Sequence, residues 1–280
     1  MIYKSNTYSE ALEMKKLLAI LLSVVFVLSL TACGATSEQK AEDGQLTSNS
    51  QQVEDKVTPV IESINEIGTV SLESKEKIEN AKKLYNALSA EDKSKVTNYS
   101  ALEAAETQYQ ALAKAEKDKA VSTHKSKFDV EYDKMENITW YYPKNMPEYI
   151  DERCYLIPYI GIRNDNIWIC VRYNYTEDDW IFWKNLSILV DGEKSTKVVG
   201  SFNTVRDNEG GVVWEYYDDA FNINEPMDSN AIQKLEKIGN SQETIVRFEG
   251  DEYYYDLTVS NKDKSMIKDV VAFYSAFLKY

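Results

Sequence analysis

The side chains best suited to acid–base chemistry in this chain are carboxylates: Glu215, Asp218, Asp219, Asp251, Glu252 and Asp256 crowd into one aromatic-rich stretch. Two neighbouring acids, one protonated and one ionised, can act as general acid and general base without histidine. An enzyme built on this chain would need that route, because its one histidine, His124, leaves no material for a histidine-based triad or a multi-histidine metal site. Among 46 acidic residues, however, clusters arise by chance, and no Gly-x-Ser-x-Gly elbow, Cys/His pair, phosphate loop or zinc spacing accompanies these. The chain therefore reads as noncatalytic, with a carboxylate-dependent wall hydrolase as the enzymatic alternative. Asp218, Asp219, Asn222, Asn224, Glu225 and Asp228 offer oxygens for calcium but lack the regular spacing and central glycine of a calcium loop. No metal and no cofactor is assigned.

The aromatic residues suggest binding. All five Trp, 15 of the 20 Tyr and 7 of the 8 Phe lie beyond residue 127. Tyr159, Trp168, Trp180 and Trp183, with Tyr173 and Trp214 nearby, form a candidate face for anchoring a protein partner or stacking sugar rings. The competing use of the same rings is core packing, where a strand covered on both faces is apolar on both. A formal charge of −14 argues against nucleic acid and anionic lipid as partners, since phosphate contacts need surplus Lys and Arg.

Cys33 carries a different chemistry. It follows Lys15-Lys16, an apolar run from Leu17 to Leu30, and then Thr31 and Ala32. The run is short for a membrane span and has the layout of a secretory signal. Its ending, Leu30-Thr31-Ala32-Cys33, resembles the bacterial lipobox. That resemblance implies a diacylglyceryl group on Cys33, cleavage just before it, and a mature chain tethered to the outer face of the cytoplasmic membrane. Nothing before Met14 has signal-peptide logic, so translation is expected to start there.

These groups must be positioned by folded elements, and composition divides the chain into five parts. Residues 1–32 read as the signal and 33–56 as a lipidated, disordered stalk rich in Ser, Thr, Gln and Glu. Residues 57–119 show helical spacing. A first helix is expected from Thr58-Pro59 through Ile67, stopped by Gly68. A second follows Ser71, with Ile78, Ala81 and Leu84 on one face. Ser89–Asp92 is a capping box, and Ser100–Glu103 repeats the device to open a third helix bearing Leu102, Ala105 and Tyr109. The pattern from Ile64 through Gly68, Leu84-Tyr85, Asn98-Tyr99 and Ala105 to Tyr109 resembles a small helical module common in surface proteins of Gram-positive bacteria. It implies a spacer or docking element without catalytic residues.

Residues 120–127 are expected as a linker, and 128–280 as an α+β domain with an antiparallel sheet covered by helices. Asn164-Asp165 should turn a hairpin in which Ile162 faces Ile167 and Trp168 lies across from Gly161. Further strands are expected over Trp180–Trp183 continuing to Val190, over Lys197–Val205 after the Asp191-Gly192 turn, and over Val212–Tyr217 after a loop at Asp207–Gly211. Thr244–Phe248 and Tyr253–Val259 complete the set. Helices are expected at Asp228–Ile238, capped by Gly239, and from Lys262 to Leu278. Cys154 and Cys170 could pair outside the cytoplasm, but that hairpin register sets Cys170 against Tyr159 and favours two small buried residues. This domain is similar to uncharacterised domains of other bacterial lipoproteins. The expected function is a noncatalytic lipid-anchored protein that binds an envelope or extracellular protein. Glycan binding and phage exclusion are the alternatives beside the hydrolase.

Overall fold

Asp55, the first described residue, accepts hydrogen bonds from the backbone N–H groups of Val57 and Thr58 at 3.0 and 3.2 Å. Helix α1 (Thr58–Asn65) follows with Pro59 in its first turn, and Gly68 takes φ +62° after it. Ser71 and Ser74 form a reciprocal capping box over a 3₁₀ turn that leads into α2 (Lys75–Asn86). Ser89 accepts from the Asp92 N–H and starts the single turn α3 (Ala90–Lys93). Next comes α4 (Tyr99–His124). The computed structural model describes residues 55–200, 202–220 and 229–279. The signal, the Leu30–Cys33 motif and the stalk up to residue 54 lie outside the described residues.

Two expectations for this region change. Ser100 is inside α4 and caps nothing; Asn98 precedes the helix, and its amide donates to Ile61 O at 3.0 Å and Asn65 Oδ1 at 2.9 Å. The side chain thus ties the start of α4 to the end of α1 instead of closing its own helix. The stretch expected as a linker is the end of α4 and a 3₁₀ turn at Lys125–Lys127. No Gly or Pro interrupts residues 99–127, so the helix has no local reason to stop. Its first half packs Leu102 and Ala105 with Val60, Ile64, Ile78 and Ala81; farther on, Ala120 joins the core of the sheets.

Among the described residues ten strands form two antiparallel sheets. The first has the order β1-β2-β3-β4-β8-β7: β1 (Phe128–Asp133), β2 (Ile138–Pro143), β3 (Tyr155–Arg163), β4 (Asn166–Glu177), β8 (Val212–Ala220) and β7 (Val205–Glu209). The second has the order β10-β9-β5-β6: β10 (Tyr254–Thr258), β9 (Thr244–Glu249), β5 (Asn185–Val190) and β6 (Glu193–Val198). Helices α5 (Ser229–Asn240) and α6 (Asn261–Leu278) pack on each other and on these sheets. One core joins Leu156, Ile160 and Ile169 of the first sheet to Leu186, Val246 and Phe248 of the second and to Leu235, Ile267 and Phe273 of the helices. The body is therefore α+β with antiparallel sheets and helices. Glu54–Tyr280 forms one compact unit.

The β3–β4 hairpin has the expected register: Tyr159 faces Cys170, Gly161 faces Trp168 and Ile162 faces Ile167, with Asn164 in the left-handed region. Asp191-Gly192 turns β5 into β6 with φ +47° and +92°. Other boundaries moved. Residues 180–184 are not strand, and β6 starts at Glu193 and ends at Val198, before most of the expected Lys197–Val205. Asp207–Glu209 belong to β7, and only Gly210-Gly211 turn, both at positive φ. Gly239 lies within α5, where a Cβ would come 2.9 Å from Lys268 Cγ; close helix packing, not capping, requires it. β1 and β2 were not anticipated, because the mixed charges of Asp129–Asp133 hide their alternation.

Candidate functional site

Glu215 occupies an inward position of β8 where its neighbours are apolar, and its side chain is completely buried. A buried carboxylate survives only with donors around it. Its Oε1 accepts the backbone N–H groups of Ile181 at 2.9 Å and Phe182 at 2.7 Å. Its Oε2 accepts from Trp183 N at 3.0 Å and from Arg206 Nε at 2.8 Å. The Trp183 indole N–H donates to the Glu215 carbonyl at 3.1 Å, and Arg206 also reaches Trp183 O at 2.9 Å. This grip is the reason residues 180–184 are a loop: three successive N–H groups turn to one acceptor, as alternating strand geometry forbids.

The loop holds Phe182 at φ +49°, a region that bulky side chains rarely occupy, and leaves its ring 59% exposed. Trp180 stacks on that ring at 5.7 Å and 16°, and the Arg206 guanidinium lies 5.8 Å from its centre. Two other loops meet the same segment. Thr204 donates to Trp183 O at 3.4 Å, bringing in the turn that carries fully exposed Phe202, and Gly250 packs its backbone against the Ile181 carbonyl. Beyond Gly250 come exposed Tyr253 and Tyr254. Phe182, Val198, Phe202, Val205, Tyr253 and Tyr254 are therefore large apolar side chains left in water on segments that converge.

The four residues expected to share a binding face do not share one. Trp183 is fully buried against Phe248 in the main core. Tyr159 and Trp168 are buried on the opposite face of the first sheet under Trp140 and Tyr142; Trp140 meets Trp168 edge-on at 5.5 Å, and Tyr142 stacks on Tyr159 at 5.2 Å. Only Trp180 reaches the surface, partly buried beside Phe182. The sheet-surface platform is thus corrected to a core layer and a separate exposed pair. Tyr173 is buried, stacked on Tyr217 at 6.4 Å. Phe182 was missed by sequence reasoning because an alternating strand would have turned it inward or outward without strain; the polar Glu215 amid apolar β8 positions was the available signal.

The candidate acids are each held by a structural partner where the structure describes one. Asp218 receives two bonds of 2.7 Å from Arg172, whose guanidinium lies between the rings of Tyr159 and Tyr216. Asp219 pairs with Lys197 and accepts from Tyr217 at 3.1 Å, and Asp251 pairs with Lys184. Asp256 binds Arg247 at 2.7 and 2.6 Å, and that guanidinium holds its carboxyl below the ordinary range. Glu252 is exposed at the β9–β10 turn. Among the described residues no two of them hydrogen-bond to each other as an acid pair; Asn222, Asn224, Glu225 and Asp228 lie outside the described residues. Among the described residues no cluster of His, Cys, Asp and Glu has metal-binding geometry.

Cys154 and Cys170 are free, buried thiols. Burial pushes the first up to about 11 and the second to about 12. The Cys154 sulfur instead sits in the backbone of β4, accepting from Thr176 N at 3.2 Å. Comparison with family models, with curated proteins and with solved structures finds no match to this chain. The functional reading rests on its own residues.

Proposed function

We propose that this is a noncatalytic, lipid-anchored protein of the outer face of the cytoplasmic membrane. Its α+β body binds an envelope or extracellular protein through the exposed aromatic end at Trp180 and Phe182. Helices α1, α2 and α4, with the single turn α3 between the last two, serve as a small three-helix spacer module. The observation that carries the reading is the Glu215-held loop: a fully buried carboxylate is used to keep Phe182 strained and exposed. Backbone strain of that kind costs about 1–3 kcal/mol and persists where surrounding structure enforces it, often at binding sites. Rigid aromatic anchors lose little entropy on binding and tend to dominate interface energies. Anchorage is supported by the Leu30–Cys33 spacing alone.

The test is crosslinking and recovery from intact envelopes with the full chain beside Phe182→Ala and Trp180→Ala, both first matched for melting temperature. A specific protein recovered by the parent and reduced at least tenfold with Phe182→Ala is the expected result. Equal recovery by both sinks the assignment of this surface, and recovery of wall glycan alone replaces the protein partner. For the anchor, Cys33→Ala should leave an unprocessed precursor or release the chain from membranes; unchanged processing and retention rule the lipid out.

A further inference from the structure

Strand β6 breaks the rule that a strand facing a core is apolar on that side. Its partner β5 turns Leu186, Ile188 and Val190 inward, and the register sets Lys197, Ser195 and Glu193 directly opposite them. Ser195 is too small to fill the space beneath the sheet, and Ala231 on α5 is equally small. A groove of about 410 Å³ remains between β5–β6 and α5, adjoined by a recess of about 200 Å³. Ile188, Ser195, Lys234 and Ile238 line both, so the two are continuous.

Walls and rim differ in character. Ile188, Val190 and Ile238 give the groove an apolar floor, and Val171 and Leu235 extend it inward. The charged groups are Lys197, Lys234 and Lys237 against Glu193 and Asp219, beside neutral polar side chains such as Gln233 and Thr196. Lys197 lines the recess paired to Asp219, and Lys237 at the mouth is paired to Glu193 at 3.1 Å. Lys234 is exposed at the junction, and no carboxylate pairs with it among the described residues. In a chain of charge −14, a rim with one ammonium in excess is a local reversal of sign. Small-molecule sites are typically concave and apolar with a few polar groups that fix orientation.

We infer that this groove binds a small amphipathic anion, its apolar body along Ile188, Val190 and Ile238 and its carboxylate or sulfonate at Lys234. The site is independent of the Phe182 surface. An anion there gains the charge-assisted bond that Lys234 lacks, while its body covers floor atoms that β6 leaves bare.

The probe is 8-anilinonaphthalene-1-sulfonate, titrated by fluorescence into the folded full chain and displaced with decanoate or with decyltrimethylammonium. Saturable binding displaced by decanoate at a concentration at least tenfold lower than by the cation is expected. Ser195→Leu fills the groove and should weaken the probe at least tenfold, whereas Lys234→Glu should weaken it about tenfold, or about 1.4 kcal/mol. Phe182→Ala should leave it unchanged. Absence of saturable binding, equal displacement by both amphiphiles, or loss with Phe182→Ala alone overturns the site. If Ser195→Leu does not fold, the exposed Lys234→Glu variant decides, and unchanged affinity there also overturns it.

Discussion

At the scale of single residues, Glu215 is the group on which most depends. It satisfies three backbone donors and pairs with Arg206 from a position with no access to water, so shortening it takes the acceptor from all three N–H groups and one partner from Arg206. Glu215→Ala should cost about 3 kcal/mol or more, measured by denaturant unfolding, because three backbone donors lose their acceptor and the partly buried Arg206 guanidinium loses its counter-charge. A change below about 1 kcal/mol would mean that water replaces the carboxylate and that the loop is not held as described. His124 offers a second residue-scale prediction. Its ring stacks on Phe273 at 5.4 Å, and its Nδ1 is buried with no hydrogen-bond partner among the described residues. Burial lowers its proton affinity, Lys127 adds to the effect and Asp269 opposes it. The unfolded chain, with an ordinary imidazole pKa of about 6.5, therefore takes up the proton first. The stabilising contribution of neutral His124 is fully present above that value. It declines as pH falls below it and is lost through the lower folded pKa. Melting temperatures between pH 7.5 and 5 should fall more steeply for the parent than for His124→Phe, and parallel curves would refute the assignment.

At the scale of elements, the β3–β4 hairpin shows how a missing side chain sets a packing arrangement. Gly161 lies opposite Trp168, whose indole covers its backbone, and a Cβ there would overlap the indole and come 2.9 Å from Trp140 Cζ3. Gly161→Ala should destabilise by about 1–3 kcal/mol through overpacking, and near-UV circular dichroism should report the displaced tryptophans. An unchanged spectrum and stability would show that the rings move aside freely. This hairpin was legible in the sequence because alternation and a two-residue turn both act locally. Residues 180–184 were not, since Trp-Ile-Phe-Trp has strand composition and only an acceptor 32 to 34 residues later bends it. The same holds for Gly239, whose role depends on α6, an element absent from its local context.

At the scale of the whole molecule, α4 couples the helical cluster to the sheets: its first half packs Leu102 beside Ile64, its last turns place Ala120 and His124 against the core near Phe273. Trypsin should find the lysines from Lys114 to Lys127 resistant in the native state, and heat unfolding should give one transition. Early cleavage there, or two transitions, would show that the helices and sheets melt independently. Composition and short-range pattern alone determined the expected lipid attachment at Cys33, the change from helical to aromatic β-rich sequence, the caps at Ser71 and Ser89, and the β3–β4 register. All of these depend on residues within a few positions of one another. Tertiary structure decided which aromatic rings are buried, the placement of Trp183 in the core and Phe182 in water, and the extension of α4 through the expected linker. It also engaged Glu215, Asp218, Asp219, Asp251 and Asp256 as structural partners. Such outcomes turn on side chains dozens of residues apart competing for one low-dielectric interior. A buried charge must be paired there, and the loop that supplies its donors yields its own preferred geometry.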